Sequence, residues 1–190
     1  MTTATVHGCP VDESFDPLSP EFLADPYAAM AKLPGAEKPI FFAPSIGYYV
    51  VTSYAAIEAV FRDPATVWRR ITTRPVTLAG VDLPEGARLF LWLAAAGRDG
   101  AAFDQPDEFD VHRPDADRHL AFGKGLHYCL GANLGKLEAQ IAVAELARRY
   151  PRLRLAPGQH LTFHPNISFR GPQVLNVLTG QGPSAGSRTS

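Results

Sequence analysis

Phe122-Gly123-Lys124-Gly125-Leu126-His127-Tyr128-Cys129-Leu130-Gly131 places three glycines and one thiol directly ahead of a segment with helical periodicity. There Leu130, Leu134, Leu137, Ile141, Ala144 and Ala147 recur every three or four residues, which predicts an amphipathic helix from Gly131 to Tyr150, stopped by Pro151. A cysteine at the start of such a helix meets unpaired amide donors and the positive end of the helix dipole, and both stabilise a thiolate. Gly123, Gly125 and Gly131 can supply unusual backbone angles and leave no side chain where a flat ligand must approach. A lone cysteine ahead of a helix is more often a small buried hydrophobe. The surrounding pattern sets this one apart.

Upstream, Arg98 to His119 carries no periodicity and holds Phe103, Phe109 and Val111 as its large apolar anchors. An irregular stretch of that length is uncommon in a compact domain unless it has a task. Before it, Arg74 to Leu83 and Ala87 to Leu93 read as a hairpin across Pro84-Glu85-Gly86, and Leu89 to Leu93 is apolar on both faces, as a doubly buried strand would be. Pro39 to Ala43 and Tyr48 to Thr52 form a second hairpin pattern across Pro44-Ser45-Ile46-Gly47. Ser53 can cap a helix bearing Ala56, Ile57, Val60 and Phe61 that ends at Asp63-Pro64. Asp25-Pro26 opens an earlier helix running to Leu33, before Pro34-Gly35. Downstream, Leu153 to Leu155, Leu161 to His164 and Val174 to Leu178 read as short strands. The leader to Ser14 and the tail Gln181 to Ser190 lack periodicity and are expected to be mobile.

With 190 residues, 46% hydrophobic and 19% charged, the chain has the composition of a globular domain. A net charge of -1 and a pI near 6.6 argue against nucleic acid or an anionic membrane as the main partner. Cys9 and Cys129 are too few for a disulfide framework. Met1 to Pro10 lacks a signal-peptide layout, and the longest apolar run, Leu89 to Ala96, is short of a bilayer span, so a cytoplasmic location is expected.

The glycine-rich stretch matches the Phe-Gly-x-Gly-x-His-x-Cys-x-Gly signature of the cytochrome P-450 family at every fixed position. Residues 68 to 180 resemble that family more widely. Arg69 to Thr73 looks like a propionate-pairing segment, Gly97-Arg98-Asp99 with Phe103 and Phe109 to Pro114 like the meander, and Phe169 to Pro172 with Leu175 and Val177 like the terminal strands. Residues 15 to 67 resemble the family's amino-terminal helix, first hairpin and next helix. The resemblance implies a mainly α fold with small β-sheets (α+β), from which most central helices, including the distal oxygen-activating helix, are missing. The implied layout is a leader 1–14, an amino-terminal part 15–67, a carboxy-terminal heme-thiolate part 68–180 and a tail 181–190.

The resemblance further implies heme b (iron protoporphyrin IX), with Cys129 as the iron ligand, Phe122 packed near the thiolate, Gly123, Gly125 and Gly131 beside the cofactor, and His127 and Arg70 on its propionates. It implies descent from an oxygen-dependent monooxygenase with a small organic substrate and a ferredoxin or flavin electron donor at the proximal face. Lys124, Lys136 and Arg118 could form a basic patch there. No catalytic residue is identified. The family's distal acid-threonine pair is absent from the chain: Ala79-Gly80-Val81-Asp82 comes nearest, but Leu83 replaces the threonine and Pro84 forbids a continuing helix. Of the candidates for the family's helical Glu-x-x-Arg pair, Glu85/Arg88 sits at a turn and Glu145/Arg148 follows the cysteine. Arg113 would thus be a charge without partners, at a cost of about 3–5 kcal/mol if buried, and a loose or solvated loop is expected there. The alternatives are a non-enzymatic family remnant or heme-binding module that self-associates, or a zinc domain using His112, His119, His127 and Cys129. The Leu134, Leu137 and Ile141 stripe is expected to be core.

Overall fold

The structure, a computed structural model, describes residues 5–32, 38–62, 67–68, 71–166 and 169–180. They fall into two compact units, Met1–Cys129 and Leu130–Ser190. The fold is α+β, with small sheets and few helices.

The first unit is built around a three-stranded sheet of β3 (Ile40–Ala43), β4 (Tyr48–Val51) and β9 (Leu89–Leu91). The hairpin expected across Pro44 to Gly47 forms, pairing Ile40 with Val51 and Ala43 with Tyr48. Gly47 takes φ +67 at its end, a left-handed conformation suited to glycine. Strand alternation sends Ile40, Tyr49, Val51, Leu89 and Leu91 into one apolar cluster, and Phe41, Ala43 and Val50 into another with Phe15 and Trp92. Both faces of the sheet are therefore covered, as the all-apolar run at Leu89 to Leu93 requires. In the second cluster Phe15 meets Phe41 and Trp92 edge-on, with ring centroids 5.2 and 5.8 Å apart.

Helix starts follow local chemistry. α1 (Pro20–Ala24) and α2 (Pro26–Met30) each begin at proline behind a capping side chain: the Ser19 hydroxyl accepts from the Phe22 amide, and the Asp25 carboxylate accepts from the Tyr27 and Ala28 amides at 3.0 Å. α1 was not anticipated from periodicity, being too short to show one. α2 ends at Met30, with Ala31 and Lys32 in a turn, short of the expected run to Leu33, a residue outside the described ones. α3 (Tyr54–Arg62) starts where expected, with the Ser53 hydroxyl accepting from the Ala56 amide at 3.3 Å, and it buries Tyr54, Ala56, Ile57 and Val60. The leader, expected to be mobile, contains the antiparallel pair β1 (Thr5–Val6) and β2 (Cys9–Pro10), with Cys9 fully buried.

The second expected hairpin is corrected. β7 (Val76–Leu78) pairs with β8 (Val81–Leu83) across Ala79-Gly80, while β9 leaves that ribbon and runs parallel to β4. Ala79 and Gly80 take φ 47 and 77, the paired positive values of a two-residue hairpin turn. Pro84 to Gly86 instead bends the chain around Thr72 in β6 (Ile71–Thr72), which pairs with β5 (Val67–Trp68). The Thr72 hydroxyl donates to the Pro84 carbonyl at 2.6 Å and accepts from the Ala87 amide at 2.9 Å, although the side chain is buried. After α4 (Leu93–Ala96) the chain is irregular, as expected, apart from short 3-10 turns at Ala116–Arg118 and Gly125–His127.

The second unit carries α5 (Ala132–Arg149), close to the expected helix, then an antiparallel pair of β10 (Arg154–Leu155) and β11 (Val177–Leu178) and a bridge between Phe163 and Pro172. The stripe expected as core is instead exposed, with Leu134, Leu137 and Ile141 at 60%, 51% and 56%. Periodicity marks a face that needs covering, and among the described residues the next longest helix, α3, has nine residues. No helix among them is long and apolar enough to cross a membrane. The tail from Gln181 lies outside the described residues.

Replacing Thr72 by valine keeps the shape and removes both hydroxyl hydrogen bonds, leaving the Pro84 carbonyl and the Ala87 amide their longer mutual bond of 3.3 Å. The expected loss is about 1–3 kcal/mol, measured as a lowered urea midpoint with an unchanged slope.

Candidate functional site

Cys129 is a free, exposed thiol at the end of a loop whose backbone is tied to itself. The Gly123 amide donates to Leu120 at 2.9 Å, the Tyr128 amide to Gly125 at 3.1 Å, and the Cys129 amide to the Phe122 carbonyl at 2.8 Å. Gly123 and Gly125 take φ 72 and 63, so both glycines serve the backbone role expected of them. Gly131 does not: its φ of -86 is open to any residue, and it is simply the N-cap of α5, where its carbonyl accepts from the Gly135 amide. Phe122 is partly buried, with its ring centroid 5.7 Å from His119 and 6.4 Å from Tyr128. Arg70 lies outside the described residues, and His127 is described for its backbone only.

One glycine is needed for a second reason. A Cβ on Gly125 would sit 2.8 Å from the carbonyl oxygen of Phe61, on the last turn of α3, so the loop is seated directly on that helix. The neighbouring residue, Lys124, reaches the Glu58 carboxylate of α3, which also accepts Arg62 at 3.1 Å. The hydrogen bond from Lys124, reinforced by that from Arg62, holds the Glu58 carboxyl below the usual carboxylate range against the opposing pull of partial burial. A depressed folded-state value means that the pair stabilises above the ordinary glutamate range and is lost as pH falls through the lower value. Neither Glu58 nor the Phe61 carbonyl was singled out from sequence: Glu58 and Arg62 show helical i,i+4 spacing, but nothing local links them to Lys124.

The segment leading into the loop is ordered, which corrects the expectation for Arg113. Its side chain is only 16% exposed, and its guanidinium donates to the carbonyls of Asp104, Gln105 at 2.9 Å and Glu108 at 3.2 Å, with Asp115 3.9 Å away. Backbone carbonyls thus solvate the charge without a buried acid. Phe103 is buried as expected, whereas Phe109 and Val111 are 95% and 73% exposed and anchor nothing. The expected basic patch is also revised. Lys124 is paired with Glu58, and Arg118 donates to the Ala102 carbonyl and lies over the Tyr54 and Phe103 rings. Glu145, with Arg148 2.8 Å and Arg149 2.9 Å away, forms an exposed surface cluster on α5.

Among the described residues no three histidine, cysteine or acidic side chains gather to hold a metal ion. Among the described residues Cys129 offers an exposed sulfur donor, which suits a metal already held in a macrocycle. The described residues therefore fit the thiol side of a porphyrin.

Comparison with known proteins agrees with this geometry. The model of the family described as Cytochrome P450 matches residues 61–167. The chain is 43% identical over 129 residues to Cytochrome P450 107B1 of Saccharopolyspora erythraea, covering 66% of this chain and 32% of that one. It is 43% identical over 122 residues to the Cytochrome P450 monooxygenase PikC of Streptomyces venezuelae, covering 63% and 29%. Among solved structures, the P450 heme domain of Tepidiphilus thermophilus superposes with a TM-score of 0.56 at 46% identity, covering 68% of this chain and 32% of that one. The chain thus spans about a third of the length of the relatives it matches.

Gly125→Ala is expected to lift the loop from α3, because the residue is left-handed and its Cβ meets backbone. A cost of about 1–3 kcal/mol should appear as faster hydrogen exchange of the Tyr128 amide; unchanged exchange would show that the contact yields at no cost.

Proposed function

Since this chain belongs to the cytochrome P450 family, we propose that it binds heme b through the Cys129 thiolate, as the thiolate side of an oxygen-dependent monooxygenase. The observation that carries this reading is the exposed free thiol at the end of an ordered loop whose every fixed residue matches the family signature. Cys129 would supply the sulfur ligand, Gly123 and Gly125 the left-handed turns that bring the loop against a flat ring, Phe122 the apolar packing beside the sulfur, and His127 and Arg70 the donors for the propionates. When bound, heme supplies the site for oxygen activation, and a thiolate ligand favours cleavage of the oxygen–oxygen bond.

The chain's second thiol cannot compete for this role. Burial pushes Cys9 up to about 11, against a hydrogen bond from the Phe42 backbone that lowers it, so the sulfur stays protonated and enclosed. Proton delivery by an acid-threonine pair is not encoded in these 190 residues, so the reading is one of thiolate-type heme ligation rather than of a complete turnover cycle. A ferredoxin or flavin donor would approach the thiol side, and a small organic substrate the opposite face of the ring.

A second reading, a non-enzymatic heme-binding module that self-associates, is favoured by the exposure of Leu134, Leu137 and Ile141 along one helix.

The test is the carbon monoxide difference spectrum of the reduced, heme-reconstituted chain. A thiolate-type Soret band is expected that Cys129→Ser abolishes and Cys9→Ser retains. A wild-type spectrum without it would overturn heme-thiolate ligation.

A further inference from the structure

We propose that Glu58 is a positioning residue for the Cys129 loop, acting through Lys124. As a statement about a metal ligand this rests on the heme reading; as a statement about the loop it stands by itself. The Glu58 carboxylate bridges two cations, Lys124 from the loop and Arg62 from its own helix. The three side chains are 24%, 36% and 63% exposed respectively, so the Lys124 pair is partly withdrawn from water and the Arg62 pair is not. Remove the negative charge, and two cations face one another where the loop meets the helix.

That meeting point sets the path of the loop. Lys124 is followed at once by Gly125, which lies against the Phe61 carbonyl too closely to admit a side chain. From Gly125 the chain makes one tight turn, closed by the Tyr128 amide on the Gly125 carbonyl, and reaches Cys129, whose amide returns to Phe122. The loop's internal hydrogen bonds hold its shape, Leu120 at its start is buried in the core, and the seat on α3 sets the position of the stretch that leads to Cys129. α3 is itself held at its other end, with the Tyr54 amide donating to the Asp99 carboxylate at 2.7 Å and the Tyr54 hydroxyl to the Arg118 carbonyl at 2.8 Å. The helix is thus a strut fixed at Tyr54, and Glu58 is the side chain by which it grips the loop.

The test is native-state hydrogen exchange of the full chain without heme. Glu58→Gln is expected to speed exchange of the Tyr128 and Cys129 amides about two- to fivefold, the scale of a partly exposed ion pair. The sheet amides of Tyr49 and Trp92 should not change and report whether the fold is intact. Glu58→Lys should act in the same direction, and adding Lys124→Glu should restore protection, since the exchanged charges attract again; a role confined to helix stability would not be rescued in this way. Unaltered exchange at Tyr128 and Cys129 in Glu58→Gln, or acceleration that the charge exchange fails to reverse, would overturn the proposal. A missing Soret band in the wild-type protein would instead defeat the heme reading and leave this result standing.

Discussion

The parallel pairing of β9 with β4 is the constraint on which the rest of the first unit depends. Tyr49, Val50 and Val51 align with Leu89, Phe90 and Leu91, and the Trp92 amide extends the ladder to the Val51 carbonyl. This pairing draws residues on both sides of Val67–Trp68 into one sheet with two covered faces. Fully burying a valine, leucine or isoleucine stabilises by about 1.5–3 kcal/mol, and Val50, Val51, Leu89 and Leu91 are all buried in the sheet so formed. Once the sheet is closed, α3 lies across it through Ile57 and Val60, and its last turn becomes the seat of the cysteine loop.

The site is therefore assembled from the backbone outward. Left-handed glycines, two short hydrogen-bonded turns and one longer closure from Cys129 to Phe122 shape the loop, a helix carbonyl sets its height, and one carboxylate between two cations ties it down. Arg113 performs a similar service upstream, gathering the carbonyls of Asp104, Gln105 and Glu108 into an ordered turn. The thiol left at the end of this construction is exposed and free of any disulfide.

Much of this was legible in the chain, for reasons that differ by element. The β3–β4 hairpin, the Ser53-capped helix and α5 rest on local periodicity and capping, which need no distant partner to be recognised. The β7–β8 turn was misplaced because Pro-Glu-Gly at 84–86 advertises a turn more loudly than Ala-Gly at 79–80, although only the latter has the two-residue length that a tight hairpin wants. Gly131 was credited with an unusual conformation on residue type alone. Arg113 was expected to be stranded because its partners were sought among side chains, whereas the backbone supplied them.

The sequence by itself determined the family, the thiol and its loop, because fixed residues at fixed spacing report local backbone geometry and chemistry. It also determined which faces are apolar. What covers each face, and what holds the loop in place, only the tertiary structure decided. Cys9 is buried in the leader, Leu134, Leu137 and Ile141 are exposed although they recur at helical spacing, and Glu58 meets Lys124 across a sequence separation of 66 residues. Such contacts arise when distant segments are packed against one another, and periodicity, which records only how a segment would like to be covered, carries no information about the partner.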